Sequence, residues 1–490
     1  MNNNTKVLKQ LNTMVLLTII IQAFILVKSA IVASYFGVSA ELDAFNLANR
    51  ISTFIYSFIG AGISTVIIPY LRDKINKNGI NIFISVIYSA GFLLLILMVI
   101  FGEELIIIAG GSNNNHFIEL AANILIFTAL TGFINSLIQL AKGVLEFNDK
   151  FNIQKLLVLI TNIILVMMLL VGDNNIYYYT IVGLFTAILN LVFHGFILKK
   201  TSFRYSINYD LGNQSFKEMM TLFFPTMLST GVYQISLLID TLIAARLPIG
   251  SISILNYANT VISMINLLLL GNITSFIYPK LVKKNNNQER QASLIDYILL
   301  VNVLMCLLIL LFYSGGREGI SILFERGEFT SENTTIIFII ALILTLSLPT
   351  NAIRDLLYRY FYMNKDTFTP FTNSIMISII NIVISVILSI YIGLHGVVIG
   401  TVLASYFSLF FICIRFKKKF QIYFNKRTFL VENGKIIVIT GLSVIASMIF
   451  KNLTNIENTL TGLITDTVFS LIIFIVLLKL FKSKVFKIKL

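Results

Sequence analysis

The chain has 490 residues, of which 57% are hydrophobic and only 12% are charged, and its formal net charge is +14. A soluble protein of this length would carry about a quarter charged residues. The composition therefore argues against a soluble enzyme or nucleic-acid-binding protein and indicates a chain that crosses a membrane many times. Cys306 and Cys413 both lie in apolar runs, which argues against a disulfide framework.

Apolar segments long enough to span a bilayer predict about fourteen helices, and therefore an all-α membrane protein. We interpret the first segment as a retained transmembrane helix and not as a cleaved signal, because its apolar run is too long for a signal-peptide core. In chain order the predicted spans are 13–36, 47–71, 80–102, 118–146, 153–172, 176–198, 217–246, 251–279, 292–313, 334–362, 368–392, 396–415, 435–450 and 460–480.

Most of the 37 Lys and Arg residues fall in the connections on one side of this helix order. With the amino terminus in the cytoplasm, the outer connections hold Arg246, Arg317, Arg326 and Lys451. The excess of basic residues inside predicts an even number of helices with both termini cytoplasmic. We expect membrane lipids, and no nucleic acid, as partners of these basic residues.

A sequence pattern recurs in the two halves of the chain. Residues 46–49 read NLAN and residues 256–259 read NYAN, and Pro69 and Pro279 follow them at the same offset. An even number of helices separates the copies, so an axis along the membrane normal relates them. We predict an amino-terminal lobe over 1–200, a second lobe over 201–430, and two further helices with a basic tail over 431–490.

The residues upstream of these motifs also match. Gln22 precedes Lys28 by six positions, as Gln234 precedes Asp240 by six. Charges at bilayer depth are costly, so they should face protein or water and mark a functional site. We expect Lys28 and Asp240 to face each other across a central cavity, either as substrate-binding groups or as a structural ion pair.

A polar stripe interrupts the run of apolar residues near the start of the second predicted helix. Asn46, Asn49 and Arg50 fall at i, i+3 and i+4, so they share one helical face. We expect this stripe to line a wet cavity opposite Asn256 and Asn259. The nearby Asp43 is a second candidate for substrate binding, with the alternative that it serves as an N-terminal helix charge.

Other intramembrane charges occur as close pairs. Arg354 and Asp355 are adjacent, and they serve either an inner gate or local packing. Lys142 and Glu146 stand at i and i+4 on one helix and can satisfy each other.

Catalytic chemistry has little support in the sequence. The three histidines have no metal-ligand spacing, and we find no Cys-x-x-Cys, phosphate loop or nucleophile elbow. We therefore expect a transporter and not an enzyme. A membrane glycosyltransferase or ligase stays open as an alternative, but the longest outer connection, about 103–117, is short for holding an acceptor substrate.

Several motifs resemble the MurJ/MviN family of bacterial lipid II flippases. They are YFGVSAELDAFNLANRI (35–51), YQISLLIDTLIAA (233–245), NYAN (256–259), LFERGEFT (323–330) and YMNKDTFTPFTN (362–373). The resemblance runs over about residues 13–415. It implies the multidrug/oligosaccharidyl-lipid/polysaccharide exporter fold, with two six-helix lobes around a cationic cavity and two extra helices forming a groove for a polyprenyl tail. The implied activity is alternating-access transfer of a lipid-linked saccharide to the outer leaflet.

The resemblance also implies positions for the substrate-binding groups. Gln22 and Lys28 stand at two first-helix arginine positions of the family, while Tyr56, Ser57 and Thr260 replace further arginines. The resemblance implies that the substrate is lipid II or another undecaprenyl-linked saccharide, and a drug or small-solute cation antiporter of the same superfamily is the alternative.

A cation site in some family members matches residues on the seventh, eleventh and twelfth predicted helices. By this resemblance a Na⁺ site would use Asp240, Asn381, Ser385, the carbonyl of Val397 and Thr401. Ser385 stands where a carboxylate is usual. Apart from Na⁺ as a coupling ion we expect no cofactor, and we expect the chain to act as a monomer.

Overall fold

The computed structural model describes residues 3–71, 77–110, 115–264, 266, 286–364, 366–423, 425–454 and 459–487. All regular structure in these ranges is helical. The helices are α1 (Asn3–Phe36), α2 (Ala40–Tyr70), α3 (Lys77–Ile100), α4 (Gly102–Ile108), α5 (Asn115–Phe147), α6 (Phe151–Val171), α7 (Ile176–Lys199), α8 (Gln214–Ala244), α9 (251–264), α10 (Asn287–Phe324), α11 (Ser331–Thr345), α12 (Leu348–Met363), α13 (Phe368–Lys419), α14 (Lys426–Thr454) and α15 (Thr459–Leu480), followed by a short 3₁₀ turn (Lys484–Lys487).

The all-α membrane class is confirmed. Ten helical segments in the described ranges are long and apolar enough to cross a membrane. The ten include α13 as one segment and the pair α11–α12 as one, and they do not include α2, α8 or α9. The count of fourteen therefore stays a prediction.

One predicted boundary between spans coincides with a break in a helix, and one predicted end of a span does not coincide with the end of a helix. Within α13 the helical backbone is interrupted at Ile392 and Gly393, where φ of Gly393 is 57°. This break lies at the predicted boundary between the spans 368–392 and 396–415. The predicted end of the ninth span at residue 313 is wrong, because α10 continues through Ser314, Gly315 and Gly316 to Phe324.

The chain divides into two compact units, Met1–Ser253 and Ile254–Leu490. In the first unit α2 packs against α5 and α8, and α1 packs against α6. In the second unit α10 packs against α14 and α15, and α12 packs against α13. The lobe boundaries at 200 and 430 stay a prediction, and Pro279 of the repeat lies outside the described residues.

Candidate functional site

The amino-terminal end of α2 carries the candidate outer part of the site. Ser39 has an extended backbone (φ −128°, ψ 164°), and its hydroxyl accepts a hydrogen bond from the N–H of Leu42 at 3.2 Å. This is the geometry of an N-cap, so the helix begins at Ala40. Because Ser39 already caps α2, Asp43 in the next turn is available for another partner.

That partner is the turn between α8 and the start of α9. The Asp43 carboxylate accepts hydrogen bonds from the N–H of Gly250 (2.6 Å), from the N–H of Ser253 (2.7 Å) and from the hydroxyl of Ser253 (2.6 Å). Asp43 is only 4% exposed. It therefore caps the N-terminal turn of α9, where a negative charge is favoured. We call Asp43, Gly250 and Ser253 the latch.

The polar stripe on α2 continues from the latch along the helix. Asn46 is buried, and its amide donates to the hydroxyl of Ser253 at 3.4 Å. Asn49 is exposed, and Arg50 is half-buried. The stripe thus passes from the buried latch to positions that a ligand can reach.

In the second unit, α9 carries the matching asparagines. Tyr257 is buried, and its ring centroid lies 5.6 Å from that of Phe324 and 5.4 Å from that of Phe329. Both phenylalanines belong to the LFERGEFT stretch (323–330), so this motif and NYAN (256–259) pack on each other. The half-buried Asn256 and Asn259 flank this aromatic anchor.

The first and eighth helices carry the remaining candidates of the first unit. Gln22 and Lys28 on α1 are half-buried, as is Gln234 on α8. Asp240 on α8 is 7% exposed and belongs to the same compact unit as Lys28. The pairing of Lys28 with Asp240 stays a prediction.

Tyr56, which replaces a family arginine, is a core residue. Its side chain is 4% exposed, its hydroxyl lies 3.4 Å from the carbonyl oxygen of Gly91, and its ring packs 6.1 Å from that of Phe133. The next residue, Ser57, donates its hydroxyl hydrogen to the carbonyl of Phe54. Tyr56 therefore serves the packing of α2 against α3 and α5, whereas Ser57 forms a hydrogen bond within α2.

The residues of the predicted cation site that lie in the second unit come together. The Ser385 hydroxyl is 3.0 Å from the amide oxygen of Asn381 and 3.1 Å from the carbonyl oxygen of Val397, which also accepts from the Thr401 hydroxyl at 3.2 Å. An all-oxygen set suits a hard monovalent or divalent cation. The predicted charge of this site, Asp240, belongs to the first unit.

Two predicted charge pairs form within their own helices. Arg354 Nη2 lies 3.0 Å from Asp355 Oδ1, and the guanidinium lies 5.6 Å from the ring centroid of Tyr358. Lys142 Nζ lies 3.9 Å from Glu146 Oε1. For Arg354 and Asp355 this geometry supports the local-packing alternative.

Sequence reasoning missed a second polar centre. Glu318 on α10 and Asp466 on α15 both contact Lys451 on α14. The predicted span ended at residue 313, which placed Glu318 in an outer loop. Asp466 inside an apolar run was a usable signal, because such a residue normally marks a site.

Comparisons with known proteins agree on one family. The family described as "Lipid II flippase MurJ" matches residues 32–468. A probable lipid II flippase MurJ of Rickettsia prowazekii (strain Madrid E) is 26% identical over 387 residues, covering 74% of this chain and 75% of that protein. A probable lipid II flippase MurJ of Aquifex aeolicus (strain VF5) is 24% identical over 372 residues, covering 72% and 71%.

Solved structures show the same fold. A lipid II flippase MurJ in an inward closed conformation superposes with a TM-score of 0.81 at 23% identity and covers 96% of this chain and 98% of that chain. An inward-facing multidrug resistance MATE family transporter of the MOP superfamily gives a TM-score of 0.65 at 15% identity, covering 81% and 95%.

Proposed function

We propose a substrate and a transport cycle on the premise that this chain belongs to the family of the lipid II flippase MurJ, as the match over residues 32–468 shows. The substrate is an undecaprenyl-diphosphate-linked saccharide, and lipid II is the first candidate within this class. The protein carries its head group from the inner to the outer leaflet by alternating access. The family consists of flippases, so the membrane glycosyltransferase alternative is set aside.

The head group meets two cations of the first unit. Lys28 on α1 and Arg50 on α2 are half-buried, so part of each side chain is open to contact with a ligand. A guanidinium grips a diphosphate bidentately, whereas an ammonium acts as a point charge. The amides of Gln22, Gln234, Asn46, Asn49, Asn256 and Asn259 are the proposed partners of the sugar hydroxyls.

The single observation that carries the cycle is the latch. Asp43 ties the α8–α9 turn to α2 through three hydrogen bonds, at the end of α2 that the basic residues predict to be outside. Closing this end while the inner end admits the head group is the requirement of alternating access. Opening the outer side then requires Asp43 to release Gly250 and Ser253.

The proposed coupling ion is Na⁺. Asn381, Ser385, Thr401 and the Val397 carbonyl supply neutral oxygens. The family resemblance implies Asp240 as the charged ligand. With one carboxylate, the site binds the ion more weakly than a site with two. Weak binding suits a coupling ion, because the ion must also leave.

A cation-coupled drug antiporter is the second candidate, supported by the MATE-like fold. The MATE transporter matches 81% of this chain, against 96% for the MurJ structure. A drug exporter has no use for a polyprenyl-tail groove, which we assign to α14 and α15. Both termini lie in the cytoplasm in this proposal, and the chain acts as a monomer in the plasma membrane.

Transport by purified protein in lipid vesicles separates the two candidates. Fluorescent lipid II placed in one leaflet should become accessible to an added reagent faster with the wild-type protein than in empty vesicles. A polyprenyl diphosphate without sugars measures the contribution of the glycan. Export of a cationic dye with no flipping of lipid II would instead assign the chain to the antiporters.

A further inference from the structure

A charged layer lies in the half of the α10–α14–α15 bundle that the basic residues predict to face outside. Lys451 Nζ lies 2.7 Å from Glu318 Oε1 and 3.8 Å from Asp466 Oδ2. Asp466 is only 5% exposed, and the Glu318 side chain is 13% exposed. Three helices therefore each contribute one charged side chain to the same spot, and the two carboxyl groups there are the more deeply buried.

One turn along each helix, three hydroxyls form a second layer. Ser470 contacts the hydroxyls of Ser314 and Ser447, the latter at 2.7 Å. A Cβ at Gly315 would lie 2.6 Å from side-chain atoms of Leu463 and Thr467, so this glycine lets α15 approach α10 closely. The close approach brings the hydroxyl layer and the charged layer into register.

Beyond the hydroxyl layer the bundle is apolar. Its core there is built from Leu299, Val303, Cys306, Leu310, Ile436, Ile439, Phe474 and Leu478. The charged layer is thus closed off on the side predicted to be inside. The Lys451 side chain is 44% exposed and lies within one turn of Thr454, the end of α14 that is predicted to be outside, so the layer can exchange protons with that side.

The charge of this layer is unbalanced when both acids are ionised. Two carboxylates face one ammonium, which leaves one buried negative charge. Oε2 of Glu318 and Oδ1 of Asp466 are buried and find no hydrogen-bond partner within the described ranges. A buried charge and two buried acceptors without donors are both costly.

We propose that Glu318 and Asp466 share one bound proton, taken up from the outer side, as a proton-binding site of the α10–α14–α15 bundle. One proton neutralises the excess charge, and it supplies a donor to an oxygen that otherwise has none. The carboxyl that holds it gains an O–H, and the other stays ionised against Lys451.

A proton fits this site better than a metal cation. Hard cations take several oxygen ligands, and two carboxylate oxygens remain here beside an ammonium that would repel a second cation. Among the other charged residues nearby, Arg317 on α10 turns toward Ser331 and Thr335 of α11. Glu457, in the α14–α15 connection, lies outside the described residues.

Infrared spectroscopy of the purified wild-type protein tests this inference without any transport assay. At neutral pH the wild type should show the absorption of a protonated carboxyl, which disappears as the pH is raised. Either Glu318→Gln or Asp466→Asn should remove this absorption, because the remaining carboxylate is balanced by Lys451. The matched control is Glu146→Gln, which removes the carboxylate of the Lys142–Glu146 pair on α5. This variant should retain the absorption.

The opposite change should strengthen the signal. Lys451→Met leaves two carboxyls without a cation, so more proton should be bound at the same pH. An absorption that is missing in the wild type, or equal in all of these variants, would overturn the proposal. An absorption that Na⁺ abolishes at constant pH would do so too, and would assign the site to sodium.

Discussion

The carboxylate of Asp43 accepts a hydrogen bond at 2.6 Å from the N–H of Gly250, which lies 207 positions later in the chain. Gly250 has a φ of 93°, and a Cβ on it would lie 2.3 Å from Cγ1 of Val38. The conformation and the close approach both favour glycine here. The latch therefore depends on a backbone position as well as on a charge.

Replacing Asp43 with alanine should open the latch. The change leaves two N–H donors of the α9 turn and one hydroxyl without their acceptor, and hydrogen bonds to a charged group contribute about 1.5–3 kcal/mol each. A cysteine at Asn49 should then react faster with an impermeant thiol reagent added outside, by a factor of about ten or more, because a loss of about 1.4 kcal/mol, less than one such bond, corresponds to tenfold. The measurement is made after replacing Cys306 and Cys413.

The control for this experiment is Glu41→Ala, which removes an exposed acidic residue from the same first turn of α2. Its labelling rate should equal that of the parent. Equal rates in the Asp43 and Glu41 variants would mean that the latch does not govern access from outside.

Lys28→Ala should abolish flipping of lipid II while leaving the amount of protein in the membrane unchanged. The cation is proposed to hold the diphosphate, and a neutral methyl group offers it no attraction. Lys28→Arg should retain activity because it keeps the charge. Lys142→Ala is the matched control, since Lys142 pairs with Glu146 on its own helix. Full activity of Lys28→Ala in vesicles would remove this residue from the binding site.

Asp240→Asn should weaken the dependence of transport on Na⁺, because it removes the one charge of the proposed cation site. The Na⁺ concentration for half-maximal flipping should rise, while binding of lipid II in the absence of Na⁺ is retained. A transport rate that is independent of Na⁺ both before and after the substitution would show that Asp240 is not an ion ligand.

Asp366, in the connection between α12 and α13, predicts a dependence of stability on pH. Burial opposes its ionisation, but the Lys419 ammonium at 2.6 Å and the hydroxyl and N–H of Thr369 hold the pKa below its ordinary 3.8. A lowered pKa in the folded state stabilises the protein above pH 3.8, and this contribution is lost as the pH falls through the folded-state value.

Asp366→Asn should therefore lower the melting temperature at neutral pH, because asparagine can still accept hydrogen bonds from Thr369 but cannot pair its charge with Lys419, and the loss should be about 0.2–1 kcal/mol. The difference from the wild type should shrink as the pH is lowered below about 4. Glu328→Gln, an exposed residue of the α10–α11 connection, should show no such pattern. A difference that stays constant with pH would contradict this account of Asp366.

The sequence predicted helices where a local pattern decides the structure. Apolar runs place the spans, and the break at Ile392 and Gly393 falls where the prediction put it. The pair Lys142 and Glu146 also follows from spacing alone, since residues four apart share one side of a helix. These features need no knowledge of how helices pack.

The rest depends on contacts between distant segments. From the sequence, Asp43 is interpreted as an N-terminal charge of its own helix or as a substrate-binding residue. Only the packing of the α8–α9 turn against α2 shows that it caps α9. In the sequence, Ser-Gly-Gly at 314–316 predicts the end of a transmembrane span. In the structure Gly315 instead allows α15 to pack closely on α10, which buries Glu318 beside Asp466.

Lipid II transport in living cells is the most direct test of the central claim. The measurement is the growth of bacteria depleted of their own lipid II flippase while this chain is expressed in its place, with Lys28→Ala as the inactive control. The account predicts that the wild-type chain restores growth and that the variant, present in the membrane at the same level, does not. Lysis of cells that contain the stable wild-type protein would contradict lipid II as its substrate.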